Sequence, residues 1–95
     1  MPYLIGTQGL VAGTRFALTQ DIVVIGRDGE NEIVVEDTTV SRKHVRLERT
    51  DKGRYYLVDQ ESTNGVFLNG VRVVRTILQN GDEVRVGDIY FKYEE

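Results

Sequence analysis

Val66-Phe67-Leu68, then Asn69-Gly70, then Val71-Arg72-Val73 is the stretch that most narrows what this chain can become. Two apolar runs flank an Asn-Gly pair, and that pair readily takes the two positive φ values a type I′ hairpin turn requires. The rest of the chain follows the same grammar. Tyr3 to Ile5, Arg15 to Leu18, Ile22 to Ile25, Ile33 to Val35, Val45 to Glu48, Tyr55 to Val58, Thr76 to Leu78, Glu83 to Val86 and Ile89 to Tyr93 read as short strands. Several of them alternate apolar and polar residues, as half-buried strands do. Gly6 to Gly13, Arg27 to Asn31, Asp37 to Lys43 and Gln60 to Gly65 read as loops. Asp51-Lys52-Gly53, Asn80-Gly81-Asp82 and Gly87-Asp88 read as turns. No helical period persists beyond a turn or two.

Composition agrees. The 95 residues include 14 valines, 6 isoleucines and 8 threonines but only 2 alanines. Branching at Cβ stiffens χ1 and suits a pleated surface, whereas alanine is the best helix former. About eleven short strands in one open sheet would leave their apolar faces bare. The expected fold is therefore all-β, an antiparallel β-sandwich of about eleven short strands in two face-to-face sheets. Residues 1–95 read as a single domain with no linker, repeat or low-complexity tract, and as a possible piece of a larger signalling protein.

Several function classes fall away on composition. There is no cysteine, which excludes disulfides, thiolate catalysis and Cys-based zinc sites. A formal net charge of −3 argues against a nucleic-acid binder, which carries a basic excess. No apolar run is long enough to span a membrane, and Met1-Pro2-Tyr3-Leu4-Ile5 does not resemble a signal peptide. The expected setting is cytoplasmic and the expected isolated state monomeric.

Three polar loops hold the chemistry: Gly26-Arg27, Val40-Ser41-Arg42-Lys43-His44 and Glu61-Ser62-Thr63-Asn64-Gly65. They offer guanidinium, ammonium, hydroxyl and amide donors. Gathered at one end of a sandwich, such groups suit an anion with several acceptor oxygens. A phosphate monoester, with about −1.5 to −2 charge and three acceptor oxygens, is such an anion, and arginine pairs with it bidentately.

The order Gly26-Arg27, Ser41-Arg42-x-His44, Ser62-Thr63-Asn64-Gly65, Asn69-Gly70 and Gly81-Asp82, with Tyr55-x-Leu57-x-Asp59 before the third loop, resembles the forkhead-associated (FHA) domain from about Tyr3 to Tyr93. The resemblance implies an eleven-stranded sandwich that binds phosphothreonine in partner proteins through loops at one end. It implies that Arg27 holds the phosphate and that Ser41 donates its hydroxyl, with its backbone amide as a further donor. It implies that Arg42 adds a second cation, Thr63 lines the pocket, and Asn64 holds the peptide backbone. By the same resemblance His44 braces the loops from behind, and Gly26 and Gly65 serve backbone shape. Gln60 and Val66 depart from the family pattern where an apolar residue and a threonine are common. Thr39 stands where some members carry a basic residue that reads an acidic position downstream, so a strong acidic preference there is not implied.

Plainer readings exist for each residue. Arg27 and Lys43 can be solvated charges, Ser41 the cap of a short helical turn through His44, Asn64-Gly65 a simple turn, and Tyr55, Tyr56, Tyr90 and Tyr93 packing groups. Ser41, His44 and Asp37 lie within one loop, without the strand-to-helix elbow of a hydrolase nucleophile. A lone histidine does not make a zinc site, no phosphate-loop or dinucleotide fingerprint occurs, and Asp28-Gly29-Glu30-Asn31 lacks the calcium-loop order. With the enzyme and metal motifs absent, the resemblance implies a non-enzymatic phosphothreonine-dependent interaction module with no cofactor and no metal. Its expected partner is a threonine-phosphorylated protein or an intramolecular phosphorylated segment, with a Ser/Thr kinase upstream and no nucleic acid or membrane. The competing reading is a phospho-independent scaffold or self-association domain on the same sandwich.

Overall fold

A computed structural model describes all 95 residues. The elements are β1 (Tyr3–Gln8), β2 (Arg15–Ala17), β3 (Ile22–Gly26), β4 (Ile33–Val34), β5 (Val45–Arg49), β6 (Tyr55–Asp59), β7 (Val66–Leu68), β8 (Val71–Val73), β9 (Arg75–Ile77), β10 (Glu83–Val86) and β11 (Ile89–Glu94). There is no helix. The strands form a six-stranded sheet in the order β2-β1-β11-β10-β7-β8 and a five-stranded sheet in the order β4-β3-β5-β6-β9.

Alternation decides which face of each strand enters the core. Val23 and Ile25 of β3, Val45 and Leu47 of β5, and Tyr55 and Leu57 of β6 point inward from the five-stranded sheet. Leu4, Val84, Val86, Ile89, Phe91 and Tyr93 answer from the other sheet. Nineteen buried apolar residues make one cluster, and truncating one of its fully buried leucines typically costs about 2–5 kcal/mol. Phe16 meets Phe91 edge-on, with ring centroids 6.1 Å apart. Residues that face outward form cross-strand rows. Ile22, Glu48, Tyr56 and Ile77 share one register line across the five-stranded sheet. Tyr90, Arg85, Phe67 and Arg72 share one across the six-stranded sheet.

Two details differ from the sequence reading. The expected loop from Gly6 is instead strand as far as Gln8, with a register irregularity between Gly6 and Gln8. The cause is packing: the following turn folds back so that Val11 is buried, and a Cβ on Gly6 would lie 1.9 Å from the Val11 carbonyl oxygen. The sandwich is also not wholly antiparallel. β4 pairs with β3 in parallel, Ile25 opposite Ile33 and Gly26 opposite Val34. Being two residues long, β4 leaves ladder donors unmet, and the Glu32 carboxylate accepts one of them from Val24 N–H at 2.7 Å.

Candidate functional site

The loops that follow β3, β4 and β6 are tied together at one end of the sandwich. The β3–β5 ladder continues past the strands: His44 N–H donates to Ile25 O, Arg27 N–H to Ser41 O at 3.0 Å, and Asp28 N–H to Arg42 O at 3.1 Å. This close approach needs a residue without a side chain at position 26. A Cβ there would sit 2.1 Å from Arg42 O and 2.8 Å from Asn31 Nδ2. Asn31, itself buried, donates from Nδ2 to Arg42 O at 2.7 Å and accepts at Oδ1 from Lys43 Nζ at 3.3 Å. The Lys43 ammonium is thereby held toward Asn31 rather than left wholly to solvent.

Arg27 is exposed, and its Nε–H donates to Val40 O. One of its five N–H groups is used; the fork at the end of the guanidinium remains available. The Arg42 carbonyl is built into the loop network, whereas its exposed guanidinium has no hydrogen bond or ion pair.

His44 is fully buried. Its Nδ1 accepts from Ser41 N–H at 3.0 Å, so Nε2 carries the proton and donates to Gly65 O at 2.7 Å. One ring thus bolts the second loop to the third. Two readings of Ser41 are corrected by the bonds it makes. Its backbone amide is engaged inward and is not available to a ligand. Nor does Ser41 cap a helical turn: its Oγ instead accepts from Thr63 N–H, at 3.3 Å across the two loops. That leaves the hydroxyl proton free to be donated outward. His44 meets the serine amide and not its hydroxyl.

Asn64 donates from Nδ2 to Thr39 O at 2.7 Å, which leaves its Oδ1 and second N–H free. Gly65 has φ +80°, a left-handed conformation that favours glycine. Its N–H donates to Ser62 Oγ at 3.0 Å, and Ser62 N–H donates to Asp59 Oδ1 at 3.0 Å. Thr63 and Asn64 are held exposed at the tip of this framework.

Thr39 was not singled out as a site residue by sequence reasoning, yet it is the hub of this end. Its N–H and Oγ1–H both donate to Asp37 Oδ1, its carbonyl takes Asn64, and its Oγ1 accepts from Asp88 N–H at 2.8 Å. The two bonds from Thr39 hold the Asp37 carboxyl below its ordinary range. The signal was available: Asp37-x-Thr39 is the spacing of an Asx turn. Thr39, Asn64, Phe67, Arg85, Gly87 and Asp88 surround a shallow depression beside the loops. A more voluminous concavity, lined by Asp21, Glu48, Arg49 and Tyr56, lies at the opposite end of β3. It is polar, open and crossed by an Arg49–Asp21 ion pair, so the converging donors outweigh its size as evidence.

Arg27, Ser41, Thr63 and Asn64 are thus joined in one hydrogen-bonded framework that leaves a guanidinium fork, a hydroxyl and an amide facing outward. Such a set can hold an oxyanion and the backbone beside it. Comparison with known proteins places the architecture. The family model described as FHA domain matches residues 23–87, and the chain belongs to the FHA domain family. It is 39% identical over 84 residues to the glycogen accumulation regulator GarA of Mycolicibacterium smegmatis, covering 88% of this chain and 52% of that protein. It is 38% identical over 84 residues to the oxoglutarate dehydrogenase inhibitor of Corynebacterium efficiens, covering 88% of this chain and 58% of the other. The chain therefore spans little more than half the length of these relatives. Mycobacterium tuberculosis EmbR, solved in complex with a low-affinity phosphopeptide, superposes with a TM-score of 0.88 at 29% identity, over 98% of this chain and 24% of that one. The relatives are regulators and inhibitors by name, and no helix here is long and apolar enough to cross a membrane.

Proposed function

We propose that this domain binds phosphothreonine in an extended peptide and performs no chemistry on it. In this reading Arg27 grips the phosphate with its free fork, Ser41 donates its hydroxyl, and Arg42 adds positive charge. Thr63 borders the phosphothreonine, and Asn64 pairs with the ligand backbone through its free Oδ1 and N–H. His44, Gly26 and Gly65 hold the loops in place and do not touch the ligand. The observation that carries the reading is the bracing of three sequence-distant loops by His44, Ser41 and Asn64, which leaves outward donors on each loop. Supporting it, a solved structure of similar fold holds a phosphopeptide.

Three or four charge-assisted hydrogen bonds at about 1.5–3 kcal/mol each, set against the cost of ordering a peptide, give a micromolar dissociation constant, about −8 kcal/mol. The proposed partner is a threonine-phosphorylated protein, or a phosphorylated segment of the same polypeptide, made so by a Ser/Thr kinase. The test is calorimetric titration with a phosphothreonine peptide, its phosphoserine counterpart and its unphosphorylated form, on wild type and Arg27→Ala. Micromolar binding only of the phosphorylated forms, threonine ahead of serine and at least tenfold weaker in Arg27→Ala, is expected. Equal binding of the unphosphorylated peptide rules the reading out.

A further inference from the structure

The chain has nine arginines. Four are paired with carboxylates: Arg46 with Glu48, Arg49 with Asp21, Arg54 with Glu95 and Arg85 with Asp88. Two more lie over aromatic rings, Arg15 on Tyr3 at 3.8 Å and Arg75 on Tyr56 at 3.9 Å. Three guanidiniums have neither kind of partner. Two are Arg27 and Arg42. The third is Arg72, on β8.

Arg72 is exposed and makes no side-chain hydrogen bond. It stands opposite Phe67 in the β7–β8 hairpin, and its side chain runs back along β7 toward the third loop. There it lies over Gly65: a Cβ on that glycine would be 2.7 Å from Arg72 Nε and 2.9 Å from Cζ. The bare glycine is the seat that admits the guanidinium, one residue from Asn64 and two from Thr63. In a protein of net charge −3, with 15 carboxylates to choose from, all three unpartnered arginines border the same loops. A solvated arginine needs no seat, and a chain selected only for solubility has no reason to gather its unpartnered arginines at one end.

We propose that Arg72 binds a second anionic group of the ligand, either an acidic side chain or a second phosphate flanking the phosphothreonine. The inference rests on the phosphopeptide reading above. Arg72 then sets which phosphothreonine sites the domain prefers, while Arg27 answers to the phosphothreonine itself. An exposed guanidinium–carboxylate contact is weak, and a bidentate contact to phosphate is stronger.

Fluorescence anisotropy of labelled peptides on the intact chain provides the test. One peptide has a phosphothreonine with neutral flanks. A second series places aspartate at each flanking position in turn, and a third places phosphoserine at the same positions. The readout is the ratio of affinities, flanked over neutral, for wild type, Arg72→Gln and Arg72→Lys. In wild type, at least one position gains about three- to tenfold with aspartate or more with phosphoserine. The ratio collapses toward one in Arg72→Gln, is partly kept in Arg72→Lys, and shrinks as salt is raised. A gain with phosphoserine alone identifies a doubly phosphorylated ligand; a gain with both identifies an acidic flank.

A ratio of one in wild type overturns the inference. So does a ratio that survives in Arg72→Gln, because an arginine that merely packs on Gly65 would weaken every peptide by the same factor. If wild type binds no phosphothreonine peptide at all, the phosphopeptide reading fails and this inference with it. If it binds the neutral peptide through Arg27 without any flanking preference, only the role of Arg72 fails.

Discussion

His44 and Gly26 show how much of the candidate site is held by residues that, in the proposed reading, do not touch the ligand. Removing the His44 ring orphans Ser41 N–H and Gly65 O and leaves a cavity at a fully buried position. Each orphaned group costs about 1–3 kcal/mol, so His44→Ala is expected to lower stability by about 2–6 kcal/mol in urea unfolding and to weaken phosphopeptide binding as well. Gly26 is constrained by space, since a methyl group there collides with the Arg42 carbonyl. The neighbour is backbone and cannot swing away. Gly26→Ala should cost about 1–3 kcal/mol, as overpacking does, read as a lowered thermal midpoint. At this scale the candidate residues could be named from the chain because the loop motifs are short and ordered. Their hydrogen-bond partners could not. Nothing in the order of residues says that Ser41 turns its amide inward to an imidazole. Nor does it say that Asn64 reaches Thr39, 25 residues away in sequence.

At the scale of elements, the Asn69-Gly70 hairpin forms as its dipeptide dictates, with φ +49° and +84° at the two turn residues. Asn69 also ties this turn to the next one, donating to Asp82 Oδ1 at 3.0 Å and accepting from Glu83 N–H at 2.9 Å. Gly70→Ala should destabilise by about 1–2 kcal/mol through the left-handed conformation alone. Val71→Thr, next to it on an exposed strand, should stay within about 0.5 kcal/mol; chemical denaturation separates the two. The loop between β4 and β5 carries a pH dependence. The Asp37 carboxyl is held below its ordinary value of 3.8 by Thr39. A carboxyl lowered on folding adds stability above its unfolded value, and that contribution is lost as pH falls through the folded one. NMR titration of Asp37 should therefore give a midpoint below 3.8, restored toward the ordinary value in Thr39→Val. Strand existence was legible in the alternation of Val45 to Glu48 or Glu83 to Val86. The extension of β1 and the parallel seat of β4 were not. Both are set by tertiary contacts, Val11 against Gly6 and β4 against the end of β3, that no local pattern encodes.

The whole molecule is a double sheet whose two ends differ in kind. One end gathers unpaired donors. The other carries paired charges such as Arg49 with Asp21. Tyr55, opposite Arg49 in the β5–β6 ladder, and Tyr93 are fully buried, and burial pushes both phenols above their ordinary range. An acid whose pKa is raised on folding contributes fully below its unfolded value, near 10, and that contribution is lost as pH climbs through the folded one. Of the five tyrosines, these two should ionise late in an ultraviolet titration, their loss of the proton coinciding with unfolding above about pH 10.

The asymmetry of the ends is what the functional account stands on, and amide chemical-shift mapping tests it most directly. A phosphothreonine peptide is titrated into isotopically labelled protein at near-neutral pH. The account predicts shifts concentrated at Arg27, Ser41, Arg42, Thr63 and Asn64, saturating at micromolar concentrations and absent with the unphosphorylated peptide. Shifts centred instead on Asp21, Arg49 and Tyr56, or spread evenly without saturation, would contradict it.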